Sequence, residues 1–173
     1  MAIVQLRLLL EDLPKFSFNN DYWFDTIQLN SIEDYRKKID KVILHHHEDI
    51  DWDGIPVFDT IKTRIEFGSS CHLWMYKDQA LGWHWTNGTC VSKDWMSHDQ
   101  PLGENEIYGG GAFLSRRYKP SATSSYYFYR QGLEYSFKYH QADTLYLYSD
   151  DWNRASAQLC YKCGFEEYEF LVG

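Results

Sequence analysis

The sequence predicts an α+β domain on a mixed, largely antiparallel sheet of about six to seven strands flanked by helices, in the order βααβββαβαβ. Three observations lead there. Residues 144–165 read as strand, turn, short helix and glycine stop. Residues 71–86 read as a hairpin. Residues 121–140 carry a long amphipathic helix between them. The chain of 173 residues suits one domain spanning 1–173, with enough length for a full core.

Taken in order, Ile3 to Leu10 is the first strand, ended by Pro14. Residues 21–40 show helical spacing through Trp23, Ile27, Leu29, Ile32 and Tyr35, with Asn30 or Ser31 capping between two helices. Lys37, Lys38 and Lys41 follow, where positive charge complements a helix C-terminus. His45 to Gly54 is a polar loop. Cys71 to Tyr76 and Ala80 to Thr86 form the hairpin, and Asn87-Gly88 is a turn signal. Val91 to Glu104 reads as an irregular insertion, and Glu106 to Arg117 as a strand interrupted by Gly109, Gly110 and Gly111. Glycine inside a strand marks a bulge or a close backbone approach.

In the helix of residues 121–140, Ala122, Tyr126, Tyr129, Leu133 and Phe137 fall along one face. Leu145, Leu147 and Ser149 then alternate with Tyr146 and Tyr148, the period of a strand. Asn153 is placed to cap the next helix, and Gly164 to end it in a left-handed conformation that folds Phe165 back. A last strand runs from Glu167 to Val172.

The stretch Asn153, Leu159, Gly164, Phe165 resembles the fifth strand and fourth helix of the GNAT superfamily of N-acetyltransferases, whose segment reads N-x-x-A-x-x-L-Y-x-x-x-G-F. Ser156 stands at the usual Ala and Cys160 at the usual Tyr. The order of elements also resembles that fold from end to end. The resemblance implies that acetyl-CoA binds where the fourth strand enters the following helix. There the family carries Q/R-x-x-G-x-G/A, and its backbone N–H groups hold the coenzyme A pyrophosphate. Lys119 takes the Q/R place, Ala122 the first glycine and Ser124 the second. Pro120 removes one donor, while Ser121, Thr123, Ser124 and Ser125 bring hydroxyls to a helix N-terminus and Arg116, Arg117 and Lys119 bring charge. The resemblance further implies pantetheine contacts from the backbone of Phe113, Leu114 and Ser115, and from Asn153.

Acetyl transfer to an amine needs a group to take the amine proton and one to protonate the leaving thiolate. Glu106 and Tyr108, two apart on one face of the fourth family strand, are candidates for the first role, with Glu104 and His84 as further bases. His84 between two tryptophans reads more simply as structural. Cys160 occupies the place of the family's acid; its thiol is either that acid or a small buried hydrophobe.

The net charge of −8 gives none of the basic footprint that nucleic acid requires and suits a cationic partner. No apolar run is long enough to span a membrane. Four cysteines without a secretory signal indicate free thiols and a cytoplasmic setting. Cys160-x-x-Cys163 lies at a helix C-terminus, the wrong end for a dithiol redox pair, and no spacing matches a structural zinc site. The His45–His47 run with Glu48, Asp49, Asp51 and Asp53 reads either as a solvated acidic loop or, as the resemblance implies, as a loop bordering the acceptor side of the cleft, where it would favour a cationic amine. The function expected is an acetyl-CoA-dependent N-acetyltransferase acting by direct attack on a primary amine of a small molecule or peptide, as a monomer or homodimer. The alternatives are a GNAT-fold binding protein without catalysis, and transfer of another acyl group admitted by Gly109 to Ala112.

Overall fold

A computed structural model describes residues 3–15, 25–29, 68–76, 79–91, 100–114, 122–150 and 154–168. Nine strands and two α-helices are defined among them. These are β1 (Ile3–Leu9), β2 (Asp25–Leu29), β3 (Ser70–Tyr76), β4 (Gln79–Asn87), β5 (Cys90–Val91), β6 (Gln100–Pro101), β7 (Glu106–Leu114), α1 (Ala122–His140), β8 (Thr144–Asp150), α2 (Arg154–Lys162) and β9 (Glu166–Glu167). Seven strands make one sheet in the order β2-β3-β4-β7-β8-β1-β9, and β5 pairs with β6 apart from it. Every neighbouring pair is antiparallel except β7 with β8, which run parallel and are joined through α1. This is the mixed, largely antiparallel sheet expected.

The strand–helix unit of residues 144–165 forms as its local signals dictate. Leu145 and Leu147 are buried on the helix-facing side, directly opposite Leu8 and Leu6 of β1. At the end of α2, Phe165 N–H donates to Cys160 C=O (3.1 Å) and Gly164 N–H to Tyr161 C=O (3.0 Å), the paired bonds of a Schellman stop. Gly164 has φ +98°, and a Cβ there would lie 2.4 Å from the Asp12 carbonyl oxygen, so both conformation and space require glycine. Phe165 folds back into the core.

One expectation is overturned. Residues 25–29, read as part of a helix, form β2 and pair with β3 over five positions, Asp25↔Met75 to Leu29↔Cys71. The Ile27–Leu29 spacing of two fits a strand as well as a helix, and the free edge of β3 supplies a ladder that local spacing cannot reveal. The rest of the two predicted helices lies outside the described residues, as does the 45–54 loop. Elsewhere the ends shift: β1 stops at Leu9, where a 3-10 turn at Leu10–Asp12 follows, well before Pro14. The insertion after Asn87 is partly ordered by the short β5–β6 pair.

The core lies between the sheet and the two helices. Leu133 and Phe137 of α1 pack with Ile107, Leu145, Leu8 and Trp74. Gly132 lets α1 approach the sheet, since a Cβ there would fall 2.3 Å from Cζ2 of Trp74.

Candidate functional site

Strand β7 changes partner along its length, and this creates the site. Its first residues pair with β8 at Glu106↔Thr144, Ile107↔Leu145 and Tyr108↔Tyr146. Its later residues pair with β4, from Asn87↔Tyr108 to Gly82↔Leu114. Tyr108 is the residue paired on both sides. Beyond it, among the described residues, β7 stays with β4 and β8 stays with β1, and the two parallel strands have no further rungs between them. The backbone of β7 from Gly109 onward therefore turns one edge to a wedge instead of to a strand.

The first residues in the wedge are the three glycines. The β4–β7 register shifts there, with Thr86 opposite Gly109 and Trp85 opposite Gly111, so Gly110 is the extra residue of a bulge. The mid-strand glycines were expected to mark a bulge, and they do.

The two faces of the sheet around the wedge differ in chemistry. On the face away from the helices, Tyr146 Oη donates to Glu106 Oε2 (2.5 Å), and Gly103 N–H donates to Glu106 Oε1 (2.7 Å). Tyr108 is buried beside Tyr148, with ring centroids 5.8 Å apart. Burial, and then the Glu106 hydrogen bond, push the Tyr146 phenol above its usual range. Burial and the neighbouring Tyr108 raise Tyr148 to about 12. Glu106 thus sits at the closed end of the ladder, with both oxygens bonded, and reaches towards the wedge only through Tyr146.

On the helix face, β3 and β4 carry a buried polar network beneath α1. Thr86 Oγ1 lies 2.6 Å from Nε2 of His72 and 2.6 Å from Nε2 of His140. A hydroxyl has one proton, so one imidazole accepts it and the other donates to the oxygen. His84 Nδ1 lies 2.9 Å from Ser136 Oγ, whose own proton goes to Gly132 C=O (3.0 Å). Burial, with the neighbouring histidines, pushes His72 down to about 2 and His84 to about 3, so both are neutral near pH 7. The sequence singled out His84 alone from this network. Its partner Ser136 is 52 residues away and gives no local signal.

Cys160 is buried in the apolar cluster with Leu147, Cys163 and Phe165. Its Sγ lies 3.9 Å from Oη of Tyr129. Burial pushes the thiol up to about 11, so it keeps its proton. Of the expected coenzyme contacts, Phe113 and Leu114 lie on β7 along the wedge, and Ala122, Thr123, Ser124 and Ser125 form the start of α1. Ser125 is buried, and the first turn of α1 contains no acidic residue. Ser115, Lys119, Ser121 and Asn153 lie outside the described residues. No group of three or more metal-binding side chains occurs among the described residues, and no helix among them is long and apolar enough to cross a membrane.

No family model matches the chain, and no curated protein sequence matches it. Solved structures do resemble it. A conserved protein of unknown function from Staphylococcus epidermidis superposes with a TM-score of 0.61 at 10% identity, over 96% of this chain and 57% of its own. A tandem GNAT protein from the clavulanic acid biosynthesis pathway gives 0.56 at 13% identity, over 96% and 50%. The acetyltransferase AAC(6')-Iy, in complex with a bisubstrate analogue of coenzyme A and acetylneamine, gives 0.53 at 11% identity, over 87% and 96%. The chain therefore has the GNAT acetyltransferase fold. It spans about half the length of the first two of these structures.

Proposed function

We propose that the protein is an acetyl-CoA-dependent N-acetyltransferase that acetylates a primary amine of a small molecule or peptide. The observation that carries this reading is the parting of β7 from β8 immediately past Tyr108, with a glycine bulge at the branch. A strand whose backbone donors are released from a ladder, followed along the chain by the N-terminus of a long helix, suits a ligand with an amide-bearing arm and an anionic end. Residues Gly109 to Leu114 would hold the pantetheine arm through the backbone. The start of α1, with Ala122 to Ser125, would hold the pyrophosphate, helped by Lys119, Ser121 and Asn153. When bound, acetyl-CoA supplies the acetyl group as an activated thioester.

The rest falls to the chain's own groups. A backbone N–H at the bulge is suited to polarise a carbonyl oxygen, because it is fixed before the substrate arrives. On the face away from the helices, Tyr146 can receive a proton at Oη while passing its own to Glu106, which makes this pair the route for the amine proton. Tyr108 lines that route at the branch. Cys160 is assigned to core packing, since its sulfur is enclosed by apolar side chains and Tyr129. A cationic acceptor is supported by the net charge of −8 and the run of acidic residues from Glu48 to Asp53 in the sequence.

Thermal shift with acetyl-CoA and desulfo-CoA tests the reading. Ligand at a hundred times its dissociation constant should stabilise by about 2.7 kcal/mol. Release of free thiol from acetyl-CoA should then rise when a panel of primary amines is added. Absence of any shift at millimolar ligand would sink the proposal. A shift with no amine-dependent turnover would instead favour the binding protein without catalysis.

A further inference from the structure

The face of the sheet away from the helices carries a connected row of charged and aromatic groups that runs from β1 to β7. Arg7 belongs to that face, because its neighbours Leu6 and Leu8 are buried on the helix side. In the β1–β8 ladder Arg7 stands directly opposite Tyr146. Its Cζ lies 4.5 Å from the centre of the Tyr168 ring, and that ring lies 5.5 Å from the Tyr146 ring. Tyr168 is tied down in turn, since its N–H donates to Gln5 C=O (2.8 Å). From Tyr146 the row continues to Glu106 Oε2 (2.5 Å), and Glu106 Oε1 accepts the Gly103 N–H (2.7 Å). A half-buried arginine is thereby stacked on one tyrosine and held beside the next.

Among the described residues, the titratable groups that share this face around Tyr146 are Glu106 and Tyr108 of β7, Tyr148 of its own strand, Tyr168 just past β9, and Arg7 of β1. Glu166 of β9 stands opposite Arg7 and is exposed to water. Burial, and then Glu106, make it harder to draw the proton from Tyr146, and Arg7 works against them. Resting on the acetyltransferase reading above, we infer that Arg7 is a positioning residue for the amine proton, its fixed charge keeping the Tyr146–Glu106 pair able to relay. In that step the Tyr146 O–H bond breaks as its proton passes to Glu106 Oε2. A new O–H bond forms as Tyr146 Oη takes a proton from the amine. The nitrogen keeps the electron pair of its broken N–H bond, Glu106 ends neutral, and Tyr146 ends as it began. During the exchange negative charge gathers on Oη. A guanidinium opposite the ring lowers the cost of that charge, and it does so at every working pH because it does not titrate. Stacking on Tyr168 keeps it there.

The test uses the whole chain with Arg7→Met, Arg7→Lys and Tyr168→Leu. Acetylation is measured with the primary amine of the panel that turns over fastest, and with that amine fluorinated at its β-carbon. Fluorine makes it a weaker base, so it gives up its proton readily. Arg7→Met should lower kcat about tenfold with the basic amine and less than about threefold with the fluorinated one, leaving the KM for acetyl-CoA unchanged. A merely structural arginine would slow both alike. Arg7→Lys keeps the charge and should recover most of the rate, and Tyr168→Leu should fall between. Independently, proton NMR of the free protein reads the Tyr146 hydroxyl, assigned by its loss in Tyr146→Phe. Its resonance should move upfield in Arg7→Met and stay in place in Arg7→Lys. If both amines are slowed alike, or the resonance is unmoved in Arg7→Met, the inference is overturned while the acetyltransferase reading stands. If the wild type acetylates no amine, the reading itself falls and the inference with it. Should Arg7→Met fail to fold, Tyr168→Leu decides by the same two readouts.

Discussion

On its β4 side, strand β7 is held by six rungs and roofed by a buried hydrogen-bonded network, His72, Thr86 and His140 with His84 and Ser136. On its β8 side it is held by three rungs, and the side chains beneath the helices are apolar, with Ile107, Leu145 and Leu147 against Leu133 and Cys160. Apolar packing is non-directional, and it tolerates two strands that diverge. A buried polar network demands its partners in place and so pins β3, β4 and α1 in one register. The difference shows how a strand can lose one neighbour without losing position: the polar flank anchors β7, and the apolar flank is free to open.

The largest effect is expected at the apolar flank. Ile107→Ala should cost about 2–5 kcal/mol in urea unfolding, since Ile107 is fully buried in the cluster that closes the β7–β8 ladder. A loss under about 1 kcal/mol would mean that packing is not what holds that side.

The polar flank has a different signature, a dependence on pH. Burial holds His72 and His84 at about 2 and about 3 in the folded protein, against an unfolded value of about 6.5. Below that unfolded value the unfolded chain binds protons that the native one refuses. Stability should therefore fall as pH falls from about 6.5 towards the folded values. Each pH unit well inside that window is worth about 1.4 kcal/mol per histidine, so the pair should lose about 2–3 kcal/mol between pH 6 and pH 5. Burial also lowers His140, in the same sense. Carboxylates titrate mainly below this interval, so a flat stability profile from pH 7 to 5 would show that the imidazoles are not held neutral.

The smallest effect on stability is expected at the branch itself, where the effect on binding should be clear. Gly109→Ala places its Cβ against His84 and Leu145 at 3.1 and 3.4 Å, closer than a side chain ordinarily packs. It should cost about 1–3 kcal/mol. It should also reduce the stabilisation by acetyl-CoA, which the thermal shift measures. An unchanged shift would place the ligand elsewhere than the wedge.

The site was partly visible in the sequence. The run Gly109 to Gly111 pointed to its bulge, because three consecutive glycines bring no side chains to pack and weaken a regular ladder. Glu106 and Tyr108 shared a face as their spacing required. What spacing did not reveal is that Glu106 is bonded to Tyr146 at the closed end, a contact between residues 40 apart. For Cys160 the sequence permits both an acid and a core filler. Only its neighbours, Tyr129 and the apolar cluster, distinguish the two.

By itself the sequence determined the unit from Thr144 to Phe165. Each of its signals acts within a few residues: the alternation that makes β8, the helix-compatible run of α2, and a glycine whose positive φ ends it. It likewise determined the buried stripe of α1 at Tyr129, Leu133 and Phe137. Tertiary structure alone decided that residues 25–29 would be a strand, because the ladder that stabilises them is supplied by β3, more than 40 positions later. It also decided where β7 leaves β8 and which side chains join the polar network beneath α1. Both depend on hydrogen bonds between segments far apart in the chain, and such bonds leave no periodicity to read.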